Sequence, residues 1–263
     1  MFYDKLLTIS EAAKILGIST STLRRLEKEN GVVEGYGLKV IYTPGGQRRY
    51  LLDEIQQLYT SQGFSGKVGF GIRPALLIRD FTTAFFEPHS LFSISVNDQV
   101  SSTIELIEAA KESNIPIIFS KTVYKPEEKI SKLWGSKFPS LEILKVESPW
   151  VTPLPEISKY NFDLINETPY ITDFHHSSLN SFLNEREIDT LILAGVTTSG
   201  SIRANAVEGL QQGYKMIVAK EAVGDRNKSI HTSTLIDLNA RYADVMNVND
   251  ILTYYKSINT KQF

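Results

Sequence analysis

The stretch from residue 190 to residue 226 constrains the fold most, because three elements follow one another there in a fixed order. Residues 190–196 (TLILAGV) form an apolar run of strand length, and the following TTSG is made of small and hydroxyl-bearing residues. From Ser201 onward apolar residues recur at helical spacing, and residues 216–219 predict a second strand that ends in a polar loop. A strand, turn and helix of this kind indicate a parallel sheet, in which the turn is the usual place of an active site.

Strands and helices alternate through the rest of this half of the chain. Strands are predicted at residues 75–78, 116–120, 163–166 and 243–246, and helices at 98–113, at 177–185 and from Asn249. Residues 124–162 are predicted to form a long loop. Because parallel strands are joined by right-handed crossovers, the alternation predicts a three-layer α/β/α fold with helices on both faces of the sheet.

The first part of the chain has a different pattern, which begins with two short helices. Residues 8–17 (TISEAAKILG) carry signals at both helix ends. Thr8 and Glu11 have the spacing of a capping box, and Gly17 suits the left-handed position that ends a helix. A second helix, residues 20–30, follows after a tight turn. Such a pair predicts a helix-turn-helix, whose second helix enters the major groove of DNA.

A basic hairpin follows the helix pair. Residues 40–42 and 47–50 are predicted strands around the turn TPGG, and a helix is predicted over residues 52–61. Cations that bind phosphates release counterions, and short hydroxyl side chains reach phosphates or base edges. The candidate DNA-binding residues are Thr20, Ser21, Thr22, Arg24, Arg25, Lys28, Gln47, Arg48, Arg49 and Tyr50. The alternative is a small protein-docking domain whose arginines form a solvated face.

Together, the helix pair and the hairpin resemble the winged helix-turn-helix domain of the mercury-resistance regulator (MerR) family. The resemblance rests on SEAAKILGISTSTLRRLEKENG and TPGGQRRY, covers roughly residues 6–60 and implies double-stranded DNA as a partner. The long dimerising coiled coil usual in that family is not visible, and residues 61–71 have instead the glycine and serine content of a linker. We predict a DNA-binding domain over residues 1–62, a linker over 63–72 and an α/β domain over 73–263.

The α/β domain resembles the isochorismatase-like cysteine hydrolases, particularly their N-carbamoylsarcosine amidase branch. The resemblance rests on RPALLIRDFTTAFFEP and GVTTSGSIRANAVEG. In that family an aspartate, a lysine and a nucleophilic cysteine cleave an amide. The resemblance assigns the aspartate position to Asp80 and the cysteine position to Ser201. The lysine position falls on Thr168, or on Glu167 if the register slips by one residue.

These assignments predict a degenerate site without confident catalytic residues. The chain contains no cysteine, and a serine hydroxyl is far less acidic than a thiol, so it needs a well-placed general base. Without a lysine, the cation that stabilises the nucleophile and the acid that protonates the leaving group are also missing. Amide hydrolysis by the family mechanism is therefore predicted to be very slow or absent.

The turn residues nevertheless predict a surviving cradle for a carbonyl or anionic group. The resemblance implies a cis peptide bond between Val196 and Thr197. Lys121 is interpreted either as a substitute cation near the aspartate or as a rim lysine. Arg79 is expected, from strand alternation, to face away from its neighbour and has no assigned role. The candidate ligand-binding residues are Asp80, Phe85, Lys121, Thr197, Thr198 and Ser201, with Phe86 and Trp150 as further apolar walls or core residues.

The composition is ordinary for a globular protein, with a net charge of −2 and 42% hydrophobic residues. No apolar run is long enough to span a bilayer, and no signal-peptide pattern is present, so a cytoplasmic location is expected. No cofactor and no metal site are predicted. We interpret the chain as a transcriptional regulator whose degenerate domain forms a homodimer or tetramer and senses a small carbonyl, amide or carboxylate effector. The alternatives are an amidohydrolase acting on C–N bonds, serine-dependent or with its cysteine replaced, and a DNA-bound structural scaffold.

Overall fold

The chain divides into two units, Met1–Lys67 and Val68–Phe263. The computed structural model describes residues 6–29, 40–61, 66–94 and 97–259. The second unit begins within the predicted linker, and Asp189 binds the chain where that linker meets the predicted α/β domain. The backbone N–H groups of Ile72 and Arg73 donate to its two carboxylate oxygens, at 2.8 and 3.1 Å.

The first unit contains, within its described residues, three helices and a three-stranded antiparallel sheet. Its elements are β1 (Leu6–Leu7), α1 (Ile9–Leu16), α2 (Thr20–Glu29), β2 (Val40–Tyr42), β3 (Arg48–Leu51) and α3 (Leu52–Ser61), with the strand order β1-β3-β2. All except β1 follow the predicted pattern; β1 is too short to show a period. Residue Asn30, the predicted end of the second helix, lies outside the described residues.

The predicted capping box is confirmed. Thr8 Oγ1 accepts a hydrogen bond from Glu11 N at 3.3 Å, and Glu11 Oε2 accepts one from Thr8 N at 2.8 Å. Gly17 ends α1 with a φ of +67°, which explains the glycine. Leu23 of α2 and Ile55 of α3 are fully buried in the core of this unit.

The second unit is built on a parallel six-stranded sheet. Its strands are β4 (Pro74–Arg79), β5 (Ile117–Thr122), β6 (Leu164–Thr168), β7 (Thr190–Val196), β8 (Lys215–Gly224) and β9 (Asp244–Met246). Its helices are α4 (Thr83–Phe86), α5 (Asn97–Glu112), α6 (Lys129–Lys137), α7 (Pro155–Ser158), α8 (Leu179–Glu185), α9 (Arg203–Gln211), α10 (Lys228–Arg241) and α11 (Val248–Asn259). The strand order is β6-β5-β4-β7-β8-β9, and every neighbouring pair is parallel, which confirms the predicted α/β class.

Each face of this sheet packs against its own set of helices. Leu76 of β4 joins Ile107 of α5 and Ile251 of α11 in one core cluster, on what we call the α5 face. Leu77, the next residue, joins Ala206 of α9 in the other cluster, on the α9 face. Because side chains alternate along a strand, neighbouring residues of one strand belong to different faces. This alternation separates the polar residues discussed below into two groups.

The predicted loop over residues 124–162 is wrong, since it contains α6, α7 and two 3₁₀ turns, Pro139–Leu144 and Pro149–Val151. Proline occupies the first position of both 3₁₀ turns and of α7, where its fixed φ favours a helical start. Segments this short leave no apolar period that a sequence pattern could show.

Two further differences concern the region after β7. β8 continues to Gly224 instead of ending in a polar loop after residue 219, because Gly224 still pairs with Val196 of β7. α10 was not predicted, since polar residues interrupt its apolar spacing. Asn227 begins it, accepting hydrogen bonds from Ser229 N and Ile230 N at 2.9 and 3.1 Å. None of the helices in the described part of the chain is long and apolar enough to cross a membrane.

Candidate functional site

The site begins at Asp80, which directly follows β4 and has a left-handed backbone with φ +59°. Arg79 follows the alternation of β4 and points to the α9 face, and the left-handed turn brings the Asp80 side chain round to the same side. Both residues are buried, with 0% of Arg79 and 1% of Asp80 exposed. The expectation that Arg79 faces away from Asp80 is therefore wrong, because it assumed that the alternation continues through Asp80.

Arg79 lies between two buried carboxylates. Its Nε is 3.3 Å from Asp80 Oδ2, and its Nη1 is 3.4 Å from Asp173 Oδ1. Its guanidinium also donates hydrogen bonds to Ser120 Oγ (3.0 Å), Thr122 Oγ1 (2.9 Å) and the Tyr170 carbonyl (3.1 Å). A guanidinium stays protonated in proteins, and a buried charge is tolerated only when it is paired. Arg79 is therefore the cation that balances the carboxylates of this site.

The Asp80 carboxylate is occupied by groups of the protein itself. The Thr122 N–H donates to its Oδ1 at 2.6 Å, and the Thr122 hydroxyl donates to its Oδ2 at 3.1 Å. The Ser201 hydroxyl donates to the same Oδ2 at 3.1 Å. Burial raises the pKa of Asp80 above its ordinary value, and the Arg79 charge and the Thr122 N–H oppose this rise.

Ser201 lies in a kinked turn, Thr198–Ile202, directly before α9, and 8% of its surface is exposed. In the described part of the chain, its hydroxyl makes no hydrogen bond to a histidine or a lysine. His231 of α10 contacts Thr198 instead, with 2.8 Å between its Nδ1 and Thr198 Oγ1. Burial lowers the pKa of His231. Ser201 thus has a carboxylate beside it, but no histidine base in contact.

The turn between β7 and α9 has the shape that the resemblance implies. The peptide bond between Val196 and Thr197 is cis. At Gly200, a Cβ atom would lie 2.6 Å from Thr197 Oγ1, so a larger residue there would displace the Thr197 hydroxyl. The Ser199 N–H donates to Asp225 Oδ2 at 2.7 Å, which binds the turn to the residue that follows β8. The backbone of the predicted cradle is therefore well supported by its surroundings.

The position that the resemblance assigns to a lysine holds no cation. Thr168, at the end of β6, is 2% exposed, and its Oγ1 accepts a hydrogen bond from Tyr170 N at 3.1 Å. Its strand partner on β5 is Thr122, which places both threonines on the α9 face with Asp80. Glu167, the alternative under a slipped register, points to the opposite face.

Lys121 is not a substitute cation for Asp80. Its strand partner is Glu167, and the two form an ion pair on the α5 face, with 2.9 Å between Lys121 Nζ and Glu167 Oε1. Lys121 Nζ also donates to the Val151 carbonyl at 3.1 Å. Because Asp80 lies on the α9 face, the structure favours the rim interpretation, and Arg79 takes the place beside the aspartate.

Asp173 is a second acidic centre, for which the sequence pattern provides no direct signal. Its Oδ2 accepts a hydrogen bond from Asn205 Nδ2 at 2.8 Å, and its Oδ1 accepts from Asn166 Nδ2 at 2.9 Å and from the Ser120 hydroxyl. Polar residues inside the predicted strands, such as Ser120 and Asn166, were the only feature of the sequence that indicated a buried polar network here. No group of three or more His, Asp or Glu side chains among the described residues is placed to hold a metal ion.

The predicted apolar walls belong to the body of the domain. Phe85 is 6% exposed, and its ring packs against Phe92 with 5.5 Å between the ring centres. Phe86 packs edge-on against Phe81 at 5.2 Å. Trp150 lines a separate cavity of about 440 Å³ together with residues 142–143 and 145–149. Phe85 is therefore a core residue, not an accessible wall of the site.

In the first unit, several DNA-binding candidates lie at the surface. Exposed candidates are Thr20, Ser21, Arg24, Arg25 and Gln47, and Arg49 is half-buried with its Nη2 donating to Gln47 Oε1 at 2.9 Å. The Thr22 hydroxyl lies 2.9 Å from Ser19 Oγ, and the Thr22 N–H donates to the same atom at 3.1 Å. Thr22 therefore helps to begin α2. The Lys28 side chain lies outside the described residues.

Glu27 engages two other candidates within the unit. It forms an ion pair with Arg48 and accepts a hydrogen bond from the Tyr50 hydroxyl. Tyr50 is fully buried, and burial raises the pKa of its hydroxyl. The prediction that Tyr50 contacts DNA is therefore wrong, because its position on β3 directs the side chain into the core of the first unit.

Comparison with known proteins identifies both units. Residues 74–250 match the Isochorismatase domain. The chain belongs to the isochorismatase family. Residues 7–74 match the MerR HTH family regulatory protein, so this member of the isochorismatase family carries a MerR-type helix-turn-helix region before its α/β domain.

Similar proteins include two amidohydrolases. N-carbamoylsarcosine amidase from Arthrobacter sp is 27% identical over 207 residues, covering 76% of this chain and 78% of the relative. Maleamate amidohydrolase from Pseudomonas putida is 30% identical over 194 residues, covering 73% of this chain and 91% of the relative. A cysteine hydrolase from Pseudomonas syringae has a similar fold, with a TM-score of 0.68 at 18% identity over 71% of this chain and 94% of that one.

Proposed function

We propose that this protein is a DNA-binding transcriptional regulator whose isochorismatase-type domain no longer hydrolyses amides and binds a small effector instead. The observation that carries the proposal is the occupied Asp80 carboxylate, which contacts Arg79 and accepts the Ser201 hydrogen bond. The Asp80 carboxylate and the Ser201 hydroxyl contact each other, and a permanent cation lies beside the carboxylate. This arrangement supports a binding pocket, but it lacks the acid that would protonate the leaving group of an amide.

The chemistry supports a loss of hydrolysis on three counts. A serine hydroxyl replaces the thiol that the resemblance implies, and it ionises far less readily. Thr168 stands where a lysine would supply an acid. A guanidinium group is a donor only and does not act as a general acid, so Arg79 replaces the charge of a lysine without replacing its acid–base function.

The turn before α9 is the proposed effector cradle. Thr197 is half-buried, and a small fraction of Ser201 is exposed. Asp80 and Thr198 are buried beneath the turn and support it. Backbone N–H groups at the start of a helix favour carbonyl, amide or carboxylate oxygens. Effector binding and DNA binding in one homodimer or tetramer would then be linked, each changing the affinity for the other by the same factor. A cytoplasmic location is part of this proposal.

The DNA-binding half is tested by anisotropy titrations of the full chain on a duplex from the region upstream of its own gene. We expect affinity to fall as salt rises, and Arg24→Ala to lower the slope of log affinity against log salt by about 1. Arg186→Ala, which removes an exposed arginine of the second unit, is the matched control and should leave the slope unchanged. Absence of binding at low salt would overturn the proposal.

The catalytic half is tested by ammonia release from N-carbamoylsarcosine and maleamate. We expect no turnover above the uncatalysed rate, both for the natural chain and for Ser201→Ala. Turnover that Ser201→Ala abolishes would contradict the loss of hydrolysis. Turnover that appears only in Ser201→Cys would show that the pocket is competent and that the nucleophile alone has changed.

A serine-dependent amidohydrolase is the second candidate, and one contact favours it. The Ser201 hydroxyl is 3.1 Å from a carboxylate whose pKa is raised by burial, and a raised pKa makes a carboxylate a stronger base. The same two amide substrates decide between the candidates. Activity in the natural chain, lost in both Ser201→Ala and Asp80→Asn, is the result that this candidate requires.

A further inference from the structure

The two faces of the β5–β6 pair carry different chemistry. On the α9 face, the paired positions are Ser120 with Asn166 and Thr122 with Thr168, which belong to the polar network around Asp80 and Asp173. On the α5 face, the paired positions are Phe119 with Ile165 and Lys121 with Glu167. All four of these α5-face residues line one cavity of about 510 Å³. The cavity is therefore separated by the sheet from the Ser201 site.

The cavity is an open groove with the size of a small-molecule site. Its volume falls within the range of about 300–1,000 Å³ that is usual for such sites, which are mostly apolar with a few polar groups. Phe162 stacks on Phe119 with 5.1 Å between the ring centres, and Tyr160 lines the same cavity. Ile165, with 59% of its surface exposed, lies at the open side. These walls suit a flat apolar ligand.

Lysines lie in and around this cavity. Lys121 lines it, and Lys111 and Lys159 each have their Nζ 5.0 Å from the centre of the Tyr160 ring. Lys125 Nζ is 3.4 Å from the Glu167 carbonyl. Glu167 pairs with Lys121, and Glu108 accepts a hydrogen bond from the Tyr160 hydroxyl. A ligand carboxylate that displaces Glu167 would take Lys121 as its partner.

Lys121 and Glu167 form the polar end of the cavity. The Lys121 side chain is 13% exposed and uses two of its three N–H donors, on Glu167 and on the Val151 carbonyl. The Glu167 side chain is 44% exposed, so it can turn into solvent when the carboxylate of a ligand takes its place on Lys121. The arrangement resembles a site in which the protein's own carboxylate occupies the position of a ligand.

We propose that this cavity binds small aromatic carboxylates, with the ring against Phe162 and Tyr160 and the carboxylate on Lys121 Nζ in place of Glu167. This site goes beyond the function proposed above, because it lies on the other face of the sheet and requires neither Ser201 nor DNA. A charge-assisted hydrogen bond to Lys121 selects for the anion, and the aromatic wall selects for a flat body.

The test uses isothermal titration of the full chain with benzoate, and with benzamide as the uncharged isostere. We expect benzoate to bind at least tenfold more tightly than benzamide. Lys121→Met should weaken benzoate binding about tenfold or more, because it removes the cation. Glu167→Gln should strengthen it several-fold, because it removes the competing carboxylate. Opposite effects of these two variants are the signature of the proposed exchange.

A control variant and a folding check complete the test. Lys228→Met, which removes an exposed lysine of α10 on another part of the second unit, should leave benzoate affinity unchanged. Circular dichroism melting should show that every variant is folded at the titration temperature. Equal binding of benzoate and benzamide, binding that survives Lys121→Met, or no binding by the folded natural chain at millimolar benzoate would each overturn the proposal. Failure to bind DNA would leave it unaffected.

Discussion

Arg79 and Asp80 are neighbours in the chain, and a single backbone angle decides that they also meet in space. Asp80 has a φ of +59°, a conformation that aspartate tolerates better than most residues. As a result, Arg79 lies beside both Asp80 and Asp173 in a region without exposed surface. Two carboxylates are buried here, and the Arg79 guanidinium lowers the free-energy cost of burying them.

Replacing this guanidinium should therefore be costly. We predict that Arg79→Met lowers the free energy of unfolding of the second unit by about 3–5 kcal/mol near neutral pH, because it leaves buried carboxylates without a counter-charge. Adding Asp80→Asn to Arg79→Met should recover part of the loss by removing one of those charges. Urea denaturation of the natural chain and both variants provides the measurement. A loss below about 0.5 kcal/mol in Arg79→Met would show that the network does not depend on this cation.

At the scale of elements, α10 supports the turn between β7 and α9. His231 in the second turn of α10 contacts Thr198, and Asp225 just before the helix accepts the Ser199 N–H. Burial lowers the pKa of His231 below its ordinary value of 6.5, while the nearby Asp225 charge opposes this shift. The turn that holds Ser201 is thus attached to an element whose stability depends on pH.

The sign of this pH dependence follows from the lowered pKa. As pH falls below 6.5, His231 is protonated in the unfolded chain before it is protonated in the folded one. The stability that neutral His231 contributes is therefore complete above pH 6.5. It is lost as pH falls toward the lower pKa of the folded state. We predict that His231→Gln reduces the free energy of unfolding more at about pH 7.5 than at about pH 5.5.

Urea denaturation at both pH values measures this difference. His89→Gln, at an exposed position before α5, is the matched control and should have the same small effect at both. A larger loss at the lower pH for His231→Gln would show that the protonated ring, and not the neutral one, stabilises the fold.

At the scale of the whole molecule, the two units have separate cores. Leu23 belongs to the cluster of the first unit, and Leu193 belongs to the α9-face cluster of the second. The first unit is small, and domains of about 60 residues bury a smaller fraction of their surface than larger ones, so they are marginally stable. A core change in one unit should therefore be felt mainly in that unit.

We predict that Leu23→Ala lowers the stability of the first unit by about 2–5 kcal/mol and abolishes DNA binding at moderate temperature. Leu193→Ala should destabilise the second unit by a similar amount. Scanning calorimetry of the full chain should show two transitions, with each variant shifting one of them. If Leu23→Ala shifted both transitions equally, the cores would not be independent.

Features that depend on local patterns were predictable from the amino-acid order. The capping box of Thr8 and Glu11, the left-handed Gly17 and the apolar run of β7 all lie within a few residues of the chain, so spacing alone reveals them. The alternation of strands and helices likewise predicted the parallel sheet. The positions of Asp80 and Ser201 after two strands followed from the same pattern together with the family resemblance, whereas the pairing of those strands came from the structure.

The contacts between polar side chains, in contrast, became known from the folded structure. The faces of Lys121 and Thr168 depend on the register between β5 and β6, which no local pattern contains. Arg79 and Asp80 lie together because Asp80 departs from the strand conformation. Tyr50 is excluded from DNA contact because its side chain on β3 points into the core. These outcomes arise from contacts between residues far apart in the sequence, whose free energies exceed local preferences. The site is therefore defined by the assembled sheet, although its turn was visible in the sequence.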